Sequence, residues 1–433
     1  MRGTNDTCKA ILSYICTINN SMTDMGKTLS LTAALLLAST ANAQDIIVHD
    51  DLIKSLKVEV NDDWSLPPVL TMDSDDVMTV SFDRLGHDYC DMNYRITHCN
   101  WDWTPSDMSE IDYLDGFNGN DIEDYAPSVN TTVEYTHYDL TIPNDKVSLK
   151  LSGNYIIEIY DDDDNTVAEA RFRVLGQEVS VGAEISSNTL IDANKTHQQI
   201  NVIINQGGYA IRIPQNELKV VVMQNEDPNT AVVMTKPSYV GGGKLEYANE
   251  KALIFDAGNE FRRFEMLNEN DVMMGLSSIK YFAPYYHVTL DNDKPRRNYY
   301  YDEDQDGRYI IRNNNVYDSH TEADYMLVHF TLYGEEFYDS DVYVYGCLTG
   351  YVMNDDCRMI YNRELACYEK TLLLKQGLYN YRYVTRDNSG RPVTADLEGN
   401  FYETENEYSV YVYHRAFGER YDKLIGFSHA YSR

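Results

Sequence analysis

The sequence predicts an all-β protein built from tandem β-sandwich domains, and three observations carry that prediction. Tyr155-Ile-Ile-Glu-Ile-Tyr160 and Ala168-Glu-Ala-Arg-Phe-Arg-Val174 alternate apolar and polar side chains around an acidic turn at 161–165, the pattern of two half-buried antiparallel strands. The chain holds 37 tyrosines, many in alternating runs that suit a pleated sheet. No long stretch carries a helical period, and no short fixed repeat points to a propeller or solenoid.

The elements follow in order. Lys27 precedes the apolar run 29–37, which ends in Ala41-Asn-Ala43 before Gln44, the layout of a secretory leader cleaved after Ala43. A start at Met22 or Met25 gives that leader its usual short charged region, so the residues ahead of them read as an over-extended start. The competing reading, a transmembrane anchor, fails because the apolar core is too short to cross a bilayer. Gln44 and Asp45, not cysteine, follow the cleavage point, so a lipid anchor is not expected and a soluble exported protein is. The remaining chain, about 390 residues, has room for two or three sandwich-sized domains. The first is expected over 45–176, closing with the strand Arg171-Phe-Arg-Val174. A middle domain, 177–320, contains Gln199-Ile-Asn-Val-Ile-Ile204, Glu217-Leu-Lys-Val-Val-Val222 and Ala252-Leu-Ile-Phe255, separated by the turn signals Gln206-Gly-Gly208 and Gly241-Gly-Gly243. The last, 321–433, contains Tyr325-Met-Leu-Val-His-Phe-Thr-Leu332, Asp341-Val-Tyr-Val-Tyr345, Tyr379-Asn-Tyr-Arg-Tyr-Val384 and Tyr408-Ser-Val-Tyr-Val-Tyr413.

Composition removes several function classes. With 36 Lys plus Arg against 69 Asp plus Glu, the formal charge is −33. Such a chain repels phosphate backbones and anionic lipid, so neither nucleic acid nor membrane insertion is expected. The charge maintains solubility, or it offers an acidic face to a basic partner. Leader cleavage discards Cys8 and Cys16 and leaves Cys90, Cys99, Cys347, Cys357 and Cys367, an odd number that excludes a complete disulfide framework. Cys90 with Cys99, and Cys357 with Cys367, are placed to meet across hairpins; buried free thiols are the alternative. No pair has CxxC spacing, so neither a cysteine zinc site nor a thioredoxin-type site is indicated.

Catalytic motifs are missing. The sequence has no Gly-x-Ser-x-Gly elbow and no His-Glu-x-x-His, and Gly241-Gly-Gly-Lys-Leu245 lacks the spacing and hydroxyl residue of a phosphate-binding loop. His98 and Cys99 are neighbours on a strand and point to opposite faces, so they make no dyad. No catalytic residue and no cofactor is expected. Asp302, Asp304 and Asp306 stand at alternating positions of a calcium-type loop with Gly307 sixth. Asn313 replaces the bidentate glutamate at the last position, and both flanks read as strands, so an acidic hairpin turn is the alternative to a metal site.

Partner-contact candidates come from the first domain. Trp101-Asp102-Trp103 leads into a loop, through Tyr113, Phe117 and Tyr125, that is too long and too aromatic for a connector. Large aromatics beside polar groups anchor protein interfaces. The structural alternative is that the tryptophans plug the end of the first sandwich.

The last domain resembles the early-set immunoglobulin-like modules that include glycogen-binding domains. The likeness lies in Val342-Tyr-Val-Tyr-Gly-Cys-Leu-Thr349 followed by the strand and turn of 368–383. It implies tandem immunoglobulin-like β-sandwich domains and puts Tyr351 where those modules place a stacking tryptophan, which makes glycan binding the alternative function; core packing is the other role open to Tyr351. A second resemblance is broader. Ser81-Phe-Asp-Arg-Leu85, His98-Cys-Asn-Trp-Asp-Trp-Thr-Pro-Ser106, Asp112-Tyr-Leu-Asp-Gly-Phe117, Tyr135-Thr-His-Tyr138, Leu151-Ser-Gly-Asn-Tyr155, Leu397-Glu-Gly-Asn400 and Val412-Tyr-His-Arg415 are similar to the type 9 secretion system plug proteins of Bacteroidetes, over essentially the whole mature chain. The resemblance implies a non-enzymatic periplasmic protein that closes the inner mouth of an outer-membrane β-barrel translocon.

Overall fold

From Tyr155 onward, strand Gly153–Tyr160 buries every second side chain, and with Thr166–Leu175 it forms the predicted hairpin, Gly153 opposite Val174 and Ile159 opposite Ala168. The structure, a computed structural model, describes residues 45–87 and 89–432. The expected leader at 1–43, with Cys8 and Cys16, lies outside the described residues.

The fold is all-β, with sheets stacked in pairs. In the first sandwich, Asn93–Cys99, Gly153–Tyr160 and Thr166–Leu175 form one sheet, and Ile53–Val60, Met78–Leu85, Tyr135–Ile142 and Asp124–Pro127 the other. Their inner faces share a core that includes Val80, Phe82, Ile96, Tyr138, Tyr155 and Phe172. Phe82 and Tyr138 are cross-strand partners with ring centroids 5.0 Å apart.

The second sandwich is discontinuous. Its one sheet holds Ser180–Ser186, His197–Asn205 and Lys244–Tyr247; its other pairs Leu218–Gln224 with Glu407–His414, which in turn pairs with Lys423–Tyr431. The third lies between these pieces. It packs a sheet around Gly377–Arg386 against one containing Tyr285–Leu290, Tyr325–Tyr333 and Cys367–Lys375. Sheet pairing therefore crosses the boundary expected at 320.

Strand Glu407–His414 shows why. All eight of its residues are buried. Tyr408, Val410 and Val412 face the second core, while Tyr411 and Tyr413 pack against Leu175 of the first sandwich and the half-buried Trp101. A strand apolar on both faces is covered on both faces.

The five described cysteines are free thiols, so neither hairpin pairing forms. Burial pushes the Cys99 thiol up to about 12. Among the described residues, no helix is long and apolar enough to cross a membrane.

Candidate functional site

The aromatic segment divides into a part spent on its own chain and a part left exposed. Asp102 Oδ1 accepts from Thr104 N at 3.2 Å and from its hydroxyl at 2.6 Å, closing a tight turn that puts Trp103 at φ +66°. The Trp103 ring lies 4.9 Å from the Arg171 guanidinium and 5.0 Å from that of Arg173. Trp101 packs on the Tyr411–Tyr413 cluster, and its backbone N–H donates to Asp422 Oδ2 at 3.3 Å. Arg415 bonds the same carboxylate at 2.8 Å and also donates to Asn100 Oδ1. Tyr113 is only 7% exposed and donates its hydroxyl to Ile96 O at 3.2 Å. In this conformation Trp101, Trp103 and Tyr113 thus serve intramolecular packing, and the Asp102 carboxylate is held within its own turn.

Phe117 and Tyr125, in contrast, are 76% and 43% exposed, joined by Ile111 at 72%, which the sequence reading passed over. Asp115, Asp121, Glu123 and Asp124 are also exposed on this segment. It is nevertheless firmly held. Asn118 completes both backbone groups of Ile96, accepting from its N–H at 2.8 Å and donating to its carbonyl at 2.9 Å, and its own N–H donates to Glu110 Oε1 at 2.9 Å. Gly116 sits at φ +111°, where a Cβ would lie 2.0 Å from Lys146 O, so glycine is required there. The result is an acidic, aromatic surface presented on pinned backbone.

A second site gathers residues that lie far apart in the sequence. His137 and Asp139 occupy one face of strand Tyr135–Ile142, and Asp83 is the cross-strand partner of His137. His137 Nδ1 lies 2.6 Å from Asp83 Oδ1. Asp83 Oδ2 accepts from Lys375 Nζ and from the Tyr325 hydroxyl, each at 2.6 Å, so residues of the first and third sandwiches share one buried carboxylate. His137 Nε2 is 3.2 Å from His320 Nδ1 and 3.3 Å from Asp139 Oδ2. Burial alone would raise the Asp83 carboxyl, but Lys375 and His137 hold it below the usual carboxylate range. Burial disfavours the His137 imidazolium, yet hydrogen bonds to Asp139 and Asp83 lift it to about 9. Lys375 is drawn below its ordinary value by burial, against the pull of Asp83. The cluster forms part of the wall of a cleft of about 500 Å³. The signal available to sequence reading was the alternation of His137 and Asp139; Lys375 and His320 are too distant in the chain to announce themselves.

Asp302, Asp304 and Asp306 do not gather as metal ligands. Asp302 pairs with Arg263 at 3.0 Å, and Asp304 accepts the backbone N–H groups of Phe261 and Asp306, the latter at 2.8 Å. Burial raises Asp304 to about 7. Tyr351, at the stacking position of the resembled modules, is 8% exposed and donates its hydroxyl to Asn225 O at 3.0 Å, which is the core-packing role.

Residues 53–176 match the family model described as Type 9 secretion system plug protein 1st domain. That match spans the first sandwich and not the whole chain. Among solved structures, the chain is similar to a hypothetical protein from Parabacteroides merdae, at 40% identity and a TM-score of 0.88, over 90% of this chain and 99% of that one. No curated protein matches the chain.

Proposed function

From the premise that this chain belongs to one family with the Parabacteroides merdae protein and carries a type 9 secretion system plug protein 1st domain, we propose that it is a periplasmic protein that closes the inner mouth of an outer-membrane β-barrel translocon. The observation that carries this reading is the match over residues 53–176. Occlusion needs bulk and complementary shape, with no reaction, and the chain acts without catalysis. The exposed Phe117, Ile111 and Tyr125, set among carboxylates on pinned backbone, supply anchors whose conformational freedom is already spent.

The test is affinity capture from detergent-solubilised Bacteroidetes envelopes with the mature chain as bait. A large outer-membrane β-barrel is expected in the eluate, and Ile111→Asp with Phe117→Asp is expected to lower its recovery at least tenfold. A wild-type eluate without such a barrel defeats the proposal. Retention on glycan arrays would favour the sugar-binding alternative, which the burial of Tyr351 does not support.

A further inference from the structure

We propose that His137, His320 and Asp139 form a binding site for a divalent first-row cation of the Zn²⁺ class, at the seam between the first and third sandwiches. Two imidazole nitrogens 3.2 Å apart share either a proton or a cation. With bonds of about 2.0–2.1 Å, neighbouring ligand atoms on a tetrahedral zinc ion lie about 3.3–3.4 Å apart. His137 Nε2 meets His320 Nδ1 at 3.2 Å and Asp139 Oδ2 at 3.3 Å, close to that edge on both sides. All three ligand atoms lie within 4.8 Å of one another.

Two further observations point to a ligand. Asp139 Oδ1, the partner oxygen of the ligand atom Oδ2, is buried without a hydrogen bond, a cost that a cation bound through both oxygens of the carboxylate would remove. In addition, Asp83 at 2.6 Å from His137 Nδ1 is the carboxylate that metal-bound imidazoles commonly carry on their far nitrogen; it fixes the tautomer whose Nε2 lone pair faces His320 and Asp139. The scaffold is rigid on both sides. His137 and Asp139 sit on a paired strand, while His320 is held through its N–H to Asp318 at 3.0 Å and its carbonyl to Lys375 at 2.6 Å. A cation there replaces the proton that His137 Nε2 shares with its two neighbours. Three protein ligands leave one position for water, on a cleft whose wall carries Glu59, Asp62 and Asp124. Nitrogen and carboxylate donors in a four-coordinate arrangement suit Zn²⁺ and not Ca²⁺ or Mg²⁺.

The experiment strips the mature chain with a chelator and titrates it with ZnCl₂ by calorimetry, with metal content per chain measured separately. One Zn²⁺ per chain is expected, and Co²⁺ is expected to give the visible bands of a four-coordinate centre. His320→Ala, at an exposed side chain, and Asp139→Asn are each expected to weaken binding at least tenfold, with circular dichroism confirming that both fold. His329→Ala removes a second close imidazole pair, His287 Nδ1 to His329 Nε2 at 2.9 Å, and is expected to leave binding unchanged. Absence of stoichiometric Zn²⁺ from the wild-type chain, or binding that both ligand variants retain, overturns the site.

Discussion

His98 shows how a residue that resembles chemistry can be wholly structural. Its Nε2–H donates to Ser152 O at 3.2 Å, so Nδ1 accepts from the Ser106 hydroxyl at 2.8 Å, and burial lowers its pKa from 6.5 to about 4. The unfolded chain therefore binds a proton that the folded chain refuses. This contribution to stability is complete above about pH 6.5 and is lost as pH falls towards 4, by about 3 kcal/mol. Denaturant melts of wild type and His98→Gln at both ends of that window are expected to show the wild type losing the larger share. The adjacent Gly153 is equally constrained: at φ +139°, a Cβ would stand 2.7 Å from His98 Nε2 and 3.1 Å from Asp422 O. Gly153→Ala is expected to cost about 3 kcal/mol, read from the midpoint of a chemical melt. The Ser-Gly-Asn-Tyr block was legible in the sequence, whereas its reason, a histidine and a distant hairpin pressing on one α-carbon, was not.

At the scale of elements, alternation located the strands because side-chain direction is a property of two successive residues. It also identified Tyr408–Tyr413 as a strand but could not say that both of its faces are covered, one by its own sandwich and one by its neighbour. The aromatic loop divides for a related reason. Trp101 and Trp103 meet surfaces supplied by Asp422 and Arg171, far along the chain, and only Phe117, Tyr125 and Ile111 remain outward. Asn118 holds the Ile111 and Phe117 end of that set, because it stands in for a missing strand beside Ile96 and its N–H donates to Glu110, whereas Tyr125 is held by strand pairing with Tyr138. Asn118→Ala is expected to raise amide exchange over 110–121 while global stability falls by only about 1–2 kcal/mol in a chemical melt, and to weaken capture of the barrel proposed above with Phe117 still present.

At the scale of the whole molecule, buried polar links cross between the sandwiches. Lys375 and Tyr325 reach Asp83, Arg308 pairs with Glu407, Arg382 with Asp227 at 3.0 Å, and Tyr413 donates to Asn154 at 2.7 Å. Removing one partner of such a pair strands the other. Lys375→Met is expected to cost about 3 kcal/mol or more in thermal or chemical melts, and adding Asp83→Asn is expected to restore part of it, a coupling that independent sites would not show. The all-β class, the hairpins, the acidic net charge and the likeness of the first domain to a plug module were legible in the chain before it folds, since each depends on neighbouring residues or on composition. It took the folded molecule to show that the last hairpin completes the second sandwich, that Tyr351 packs in the core, and that His137, Asp139 and His320 meet. Those outcomes depend on which distant strands close together, and closure is settled by packing over the whole chain and not by any local pattern.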